Sequence, residues 1–204
     1  YNFLSLAQEL RELGYRFRTR CDTEVILYAW QEWGEKCVTR FRGMFAFAIY
    51  DRRRQCLFLA RDRLGIKPLF FSLMGGDTLI FGSELKVLKA HPGLPRKLEP
   101  QAVEDYFALG YIPEPKTIYR DVYKLRPGHT LLLQRGKPMP DQYEYWDVPF
   151  EPVETGTTTP TISSGSSPVT ISTCWIRWPG STMNPMPTAP RSPPTGCVSS
   201  RASG

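Results

Sequence analysis

Apolar positions recur along the first 150 residues in two rhythms, one near 3.6 residues and one of two. Phe3, Leu6, Leu10 and Leu13 share one helical face and stop at Gly14, which predicts a helix closed by a glycine cap. Tyr15-Arg16-Phe17-Arg18 alternates apolar and basic residues, the pattern of a strand with one exposed face. Helical spacing returns with Val25, Ile26, Ala29, Trp30 and Trp33, with Asp22 placed as N-cap and Gly34 as the stop. Strands are predicted next at 44–50, 55–61, 68–73 and 78–82. Their links are Asp51-Arg52-Arg53-Arg54, then Asp62–Lys67, then the hairpin signal Met74-Gly75-Gly76-Asp77. Strand 44–50 is apolar on both faces, which predicts a central strand covered on each side. Helices are predicted at 83–90 and at Pro100–Leu109, the second opening on proline. Leu125–His129 then turns into a strand, and a second turn falls at Arg135-Gly136-Lys137. The pattern closes at Tyr143–Trp146, and such a mixture with both sheet faces buried indicates an α/β layered domain.

Composition breaks where the pattern does. Residues 155–204 hold three arginines and no Lys, Asp, Glu, Leu, Phe or Tyr, and 33 of the 50 are Ser, Thr, Pro or Gly. Such a segment buries too little apolar surface to offset the ordering of its chain, so 151–204 is read as a disordered tail. A frameshift is the other reading, because leucine, acidic residues and periodicity vanish together. Ser163-Ser164-Gly165-Ser166-Ser167 follows no predicted strand and is read as low complexity, not as a nucleotide loop.

Net charge over the 204 residues is +6, yet no helix or strand carries a basic stripe, which argues against a nucleic-acid surface. No signal peptide or long apolar run marks a membrane protein. Five cysteines (Cys21, Cys37, Cys56, Cys174, Cys197) show no C-x-x-C spacing and are odd in number, as expected of free thiols in a reducing cytoplasm. His91 and His129 are too isolated for a metal site, and His129 follows Pro127-Gly128, where turn geometry accounts for it.

Few residues offer chemistry. Asp22 reads as an N-cap on its residue type alone. In Arg61-Asp62-Arg63-Leu64-Gly65-Ile66-Lys67-Pro68-Leu69 the physical reading is a turn: Asp62 bonds nearby amides, Gly65 takes positive φ, and Pro68 opens an edge strand. Gly82-Ser83-Glu84 reads as a strand-to-helix turn capped by Ser83. Cys21 precedes a helix, whose N-terminus lowers a thiol pKa.

Several of these runs also form a signature. Phe41-Arg42-Gly43-Met44-Phe45-Ala46-Phe47-Ala48-Ile49-Tyr50-Asp51, the Arg61–Leu69 run, Phe81-Gly82-Ser83-Glu84-Leu85-Lys86, Leu125–His129 and Tyr145-Trp146-Asp147 stand in that order, with Cys21-Asp22-Thr23-Glu24 before them. Over about residues 1–150 the chain thereby resembles the glutamine-hydrolysing domain of the asparagine synthetase family, the class II glutamine amidotransferases. Its pattern is nearest to bacterial members associated with exopolysaccharide and exosortase gene sets.

The resemblance implies a four-layer αββα sandwich of the Ntn-hydrolase kind, truncated at its N-terminus. It implies that Asp22 binds the α-amino group of substrate L-glutamine, in place of or beside its capping role. The family's nucleophile is an N-terminal cysteine with its own α-amino group as base. That residue, an oxyanion-stabilising Asn-Gly pair and a carboxylate-binding Arg would precede Tyr1, so Cys21 is not assigned as nucleophile and no catalytic residue is assigned. ATP and magnesium belong to a synthetase domain expected after Trp146, and no cofactor is expected within this chain. The expectation is therefore a partial glutaminase domain at 1–150 with a tail at 151–204, cytoplasmic, homodimeric in the intact parent, and inactive as this chain. The alternatives are a non-catalytic glutamine-binding or interaction module and a pseudogene product that does not fold.

Overall fold

The computed structural model describes residues 1–75, 78–137 and 139–148, and the backbone of 172–177 and 198–199. Helix α1 (Phe3–Glu12) buries Leu6, Ala7 and Leu10, and α2 (Asp22–Trp33) buries Val25, Ala29 and Trp30, as their 3.6-residue spacing requires. A 3-10 turn (Gly34–Lys36) and α3 (Cys37–Arg40) lead to β1 (Ala46–Asp51), β2 (Cys56–Arg61), β3 (Phe70–Met74) and β4 (Thr78–Gly82). Then come α4 (Leu85–Lys89), α5 (Pro100–Leu109), β5 (Tyr123–Lys124), β6 (His129–Gln134) and β7 (Asp141–Glu144). Backbone strands β8 (Ser172–Arg177) and β9 (Val198–Ser199) complete the order.

Two antiparallel sheets result, ordered β1-β2-β6-β7 and β5-β3-β4-β8-β9. The register follows the two-residue period. Leu57 and Leu59 of β2, with Leu131 and Leu133 of β6, point one way and meet Leu69, Phe71, Leu79 and Phe81 of the second sheet. Cys56, Phe58 and Ala60 point the other way, onto Leu10, Val25, Ala29 and Trp30 of α1 and α2. On the far side of the second sheet Ile80 packs against Leu88 of α4 and against Leu94 and Val122. The layers are thus helices, sheet, sheet, helix, the four-layer α/β arrangement the resemblance implies. Each fully buried Leu or Phe contributes about 1.5–3 kcal/mol of transfer free energy, and most of them lie in the first two interfaces.

Three expectations are corrected. Strand β1 is an edge strand with β2 as its ladder partner, whereas β2, buried at all six positions, is the covered one. The apolar character of β1 has a local cause: Phe47 and Ile49 face the helices, while Ala48 and Tyr50 are exposed where the second sheet does not reach. Tyr15–Arg18 forms no strand. Its alternation places the Tyr15 and Phe17 rings 5.0 and 4.9 Å from the Tyr28 ring, so packing on α2 replaces a ladder. Ser83 does not cap α4; Glu84 holds the N-cap position and no side chain bonds the open amides.

The turn at 76–77, the boundary at 150, the Ser163–Ser167 run and the disorder or frameshift expected of 151–204 lie outside the described residues. The exception is the backbone of β8, which pairs with β4, and of β9, which pairs with β8.

Candidate functional site

In the Arg61–Lys67 loop the two leading charged residues, Arg61 and Asp62, are bonded within the fold. Asp62 is 1 % exposed, and its carboxylate accepts main-chain N–H bonds from Leu64 (3.2 Å), Ile66 (3.0 Å), Lys67 (2.9 Å) and Phe45 (3.4 Å). Its carbonyl accepts from Gly65 and Gly128. Arg61, 5 % exposed, donates to the carbonyls of Lys67, Gly65 and Leu125 and to the Glu114 carboxylate at 2.9 Å. Gly65 has φ +64, and a Cβ there would stand 2.7 Å from the Pro127 ring. A side chain cannot fit. The turn reading of Asp62 and Gly65 therefore holds, and the Asp62 carboxylate and the Arg61 guanidinium are both spent inside the fold. Pro68 precedes β3, which lies between β5 and β4, not at an edge.

Residues 145–146 close over this loop. The Tyr145 hydroxyl donates to the Arg61 carbonyl at 2.7 Å, and burial pushes its phenol pKa above the ordinary range. At Gly128, φ +66, an added Cβ would lie 2.2 Å from the Trp146 carbonyl oxygen. His129 bonds the Pro127 carbonyl through Nδ1 at 2.7 Å, which fits the turn role read for it.

Asp22 behaves otherwise. It occupies the first turn of α2, one position inside the N-cap Cys21, and no side-chain cap bond forms. The capping expectation is corrected: the helix begins one residue earlier than its apolar face suggests. The carboxylate is exposed, its neighbours being Cys21 Sγ and Thr23 Oγ1, both at 3.5 Å, and among the described residues it joins no ion pair. Its main chain, in contrast, is held. The Tyr1 hydroxyl donates to the Asp22 carbonyl at 2.6 Å, and Cys21 N–H donates to Thr19 Oγ1 at 3.2 Å. Tyr1 is seated against Phe3, Phe41 and Phe45. Burial first, and the Asp22 charge second, raise its phenol pKa far above normal.

Glu24, a residue that sequence reasoning passed over, ties the approach to Asp22. It accepts from Arg18 N–H (2.9 Å), Thr19 N–H (2.7 Å) and the Thr19 hydroxyl (2.5 Å). Those bonds, led by Arg18 N–H, lower its pKa to about 2. A carboxylate placed as Asp22 is, exposed at a helix start with only a thiol and a hydroxyl at 3.5 Å, can take a charge-assisted bond from a ligand ammonium.

Of the three cysteines with described side chains, Cys37 and Cys56 are buried. Burial pushes the Cys37 thiol up to about 12, and burial with the Asp51 charge raises Cys56. Cys21 is exposed, and its thiol donates to the Asp22 carboxylate at 3.5 Å. Among the described residues no three His, Cys, Asp or Glu side chains gather as a cation site, and no helix is long and apolar enough to cross a membrane. A cleft of about 620 Å³ opens at the other end of α2, between Trp33, Lys36, Arg54, Tyr143 and Tyr145. That end lies about 16 Å along the helix from Asp22, so the cleft is not part of the same site.

Comparison with known proteins now bears on this geometry. Residues 1–146 match the family described as "Glutamine amidotransferase domain". The chain is 40% identical over 152 residues to asparagine synthetase [glutamine-hydrolyzing] 3 of Bacillus subtilis, covering 74% of this chain and 24% of that protein. It is 39% identical over 156 residues to putative asparagine synthetase [glutamine-hydrolyzing] 2 of Methanocaldococcus jannaschii, covering 75% and 30%. Among solved structures, the glutamine phosphoribosylpyrophosphate amidotransferase of B. subtilis, complexed with ADP and GMP, aligns over 71% of this chain and 27% of its own, with 20% identity and a TM-score of 0.47. The chain spans about a quarter of the length of the asparagine synthetases it matches. It belongs to the glutamine amidotransferase domain family.

Proposed function

From that membership we propose that this domain recognises L-glutamine for a glutamine-dependent, asparagine synthetase-like enzyme, with the Asp22 carboxylate taking the α-ammonium group. The observation that carries the reading is the contrast at Asp22: its carbonyl is held by the Tyr1 hydroxyl and the N–H of the preceding Cys21 by Thr19, while its carboxylate meets only the Cys21 thiol and the Thr23 hydroxyl, both at 3.5 Å. In the whole enzyme, glutamine hydrolysis would release ammonia for amidation of an acceptor carboxylate activated by ATP. ATP and magnesium would then be held outside the described residues. The cytoplasm suits the free thiols of Cys21, Cys37 and Cys56.

The 204-residue chain assayed by itself is proposed to release no ammonia from glutamine. Two described thiols are buried with raised pKa values, and the third lies beside the Asp22 carboxylate that is assigned to the ammonium. An ammonia-release assay checks this, and turnover abolished by Cys21→Ser would overturn the assignment. Calorimetry separates the second reading, a non-catalytic glutamine-binding module. Recognition through the Asp22 carboxylate alone is expected to hold glutamine in the millimolar range, about −4 kcal/mol, whereas micromolar binding would favour the module.

A further inference from the structure

Glu24 lies two residues beyond Asp22 on α2, and its side chain turns back across the start of the helix. It accepts from the amides of Arg18 and Thr19 and from the Thr19 hydroxyl. The same hydroxyl oxygen accepts the Cys21 N–H, so a continuous path runs from Glu24 through Thr19 to the residue before Asp22. Tyr28, one turn further along α2, fixes the same loop by donating to the Arg16 carbonyl at 2.9 Å. A carboxylate at a helix start ordinarily caps open amides or bonds its own approach loop. Here Glu24 binds the approach loop, and the Asp22 carboxylate makes no cap bond.

We propose that Glu24 is a positioning residue for ammonium recognition: through Thr19 it fixes the main chain at residue 21 and leaves the Asp22 carboxylate available to the ligand. The inference rests on the reading of Asp22 as the ammonium partner, and its test separates the two. Glu24 itself touches no ligand in this scheme. Its loss should therefore weaken ligands that carry an α-ammonium and spare those that lack one.

The measurement is a pair of NMR titrations of the 204-residue chain, one with L-glutamine and one with 4-carbamoylbutanoate. The latter keeps the side-chain amide and the carboxylate but has no ammonium. The unmodified chain should prefer glutamine by about tenfold or more, as a charge-assisted bond requires. Asp22→Asn should bring that preference close to one. Glu24→Ala should lower it by about threefold or more while the affinity for the analogue stays within about twofold. Thr19→Val should follow Glu24→Ala, and Thr19→Ser, which keeps the hydroxyl, should retain the preference. A thermal transition for each variant confirms that the fold persists, and the two Thr19 variants carry the test if Glu24→Ala does not fold.

Equal weakening of both ligands by Glu24→Ala, or no change in either, overturns the positioning role while leaving Asp22 in place. A preference that survives Asp22→Asn overturns the Asp22 reading whatever Glu24 does. Absence of any response to glutamine up to about 50 mM, well beyond millimolar affinity, overturns both.

Discussion

The Arg61–Lys67 loop and the Arg18–Glu24 loop are both short, charged and signature-bearing, yet they dispose of their charges in opposite ways. In the first, every carboxylate oxygen of Asp62 and each nitrogen of the Arg61 guanidinium is bonded inside the fold. In the second, Glu24 absorbs the local amides and Asp22 is left over. A motif rich in charged residues is thus no guide to chemistry until its internal hydrogen bonds are counted. The Arg61 run is consumed in holding the fold, whereas the less conspicuous Asp22 keeps its carboxylate exposed.

Matched substitutions would break this contrast most sharply. Asp62→Ala removes the acceptor of four main-chain N–H groups, those of Phe45, Leu64, Ile66 and Lys67, and should cost about 3–5 kcal/mol in chemical denaturation or prevent folding. Asp22→Ala should change stability by no more than about 0.5 kcal/mol, as for an exposed side chain whose internal contacts are two weak ones at 3.5 Å. Comparable losses at the two sites would mean that Asp22 is structural after all. A smaller effect is expected at the edge of the first loop: Tyr145→Phe removes the bond to the Arg61 carbonyl and should cost about 1 kcal/mol by the same measurement.

The smallest effect is one of pH. Glu24 sits at about 2 in the fold against its ordinary 4.5, so the folded state favours its ionised form. The stability it adds is complete above the ordinary value and is lost as pH falls through about 2. The gap in denaturation midpoint between the unmodified chain and Glu24→Gln should be full at neutral pH, narrow below about pH 5 and close near pH 2. A gap that persists at the lowest pH would show that charge is not what Glu24 contributes.

Much of the layered fold was legible in the sequence, because helix and strand periods are written in which residues are apolar. α1, α2 and α5 came out within a residue or two, since each carries its stop or start signal in Gly14, Gly34 or Pro100. The ranking of strands did not come out. Ala46–Tyr50 and Cys56–Ala60 are equally apolar to the eye, and only the reach of the second sheet makes one an edge and the other an interior strand. β7 was missed as an element because all four of its residues are exposed and no alternation marks them. Asp22 was singled out by the resemblance alone, while its residue type pointed to capping. Glu24 had a faint signal, an acidic residue five positions after a threonine, but the bonds that matter run backward from helix to loop and leave no periodicity.

The clasp formed by Tyr145, Trp146 and Gly128 has a mechanical consequence. β7 is an exposed edge strand, and by itself would fray under tension. The residues that follow it are pinned to the Arg61 carbonyl and to a glycine with no room for a side chain. A pull on the chain at Val148 is therefore met first by this anchor, before it reaches the weak strand. The strand can peel and re-form while the anchor stays seated, so whatever is tethered beyond that point keeps a fixed mooring.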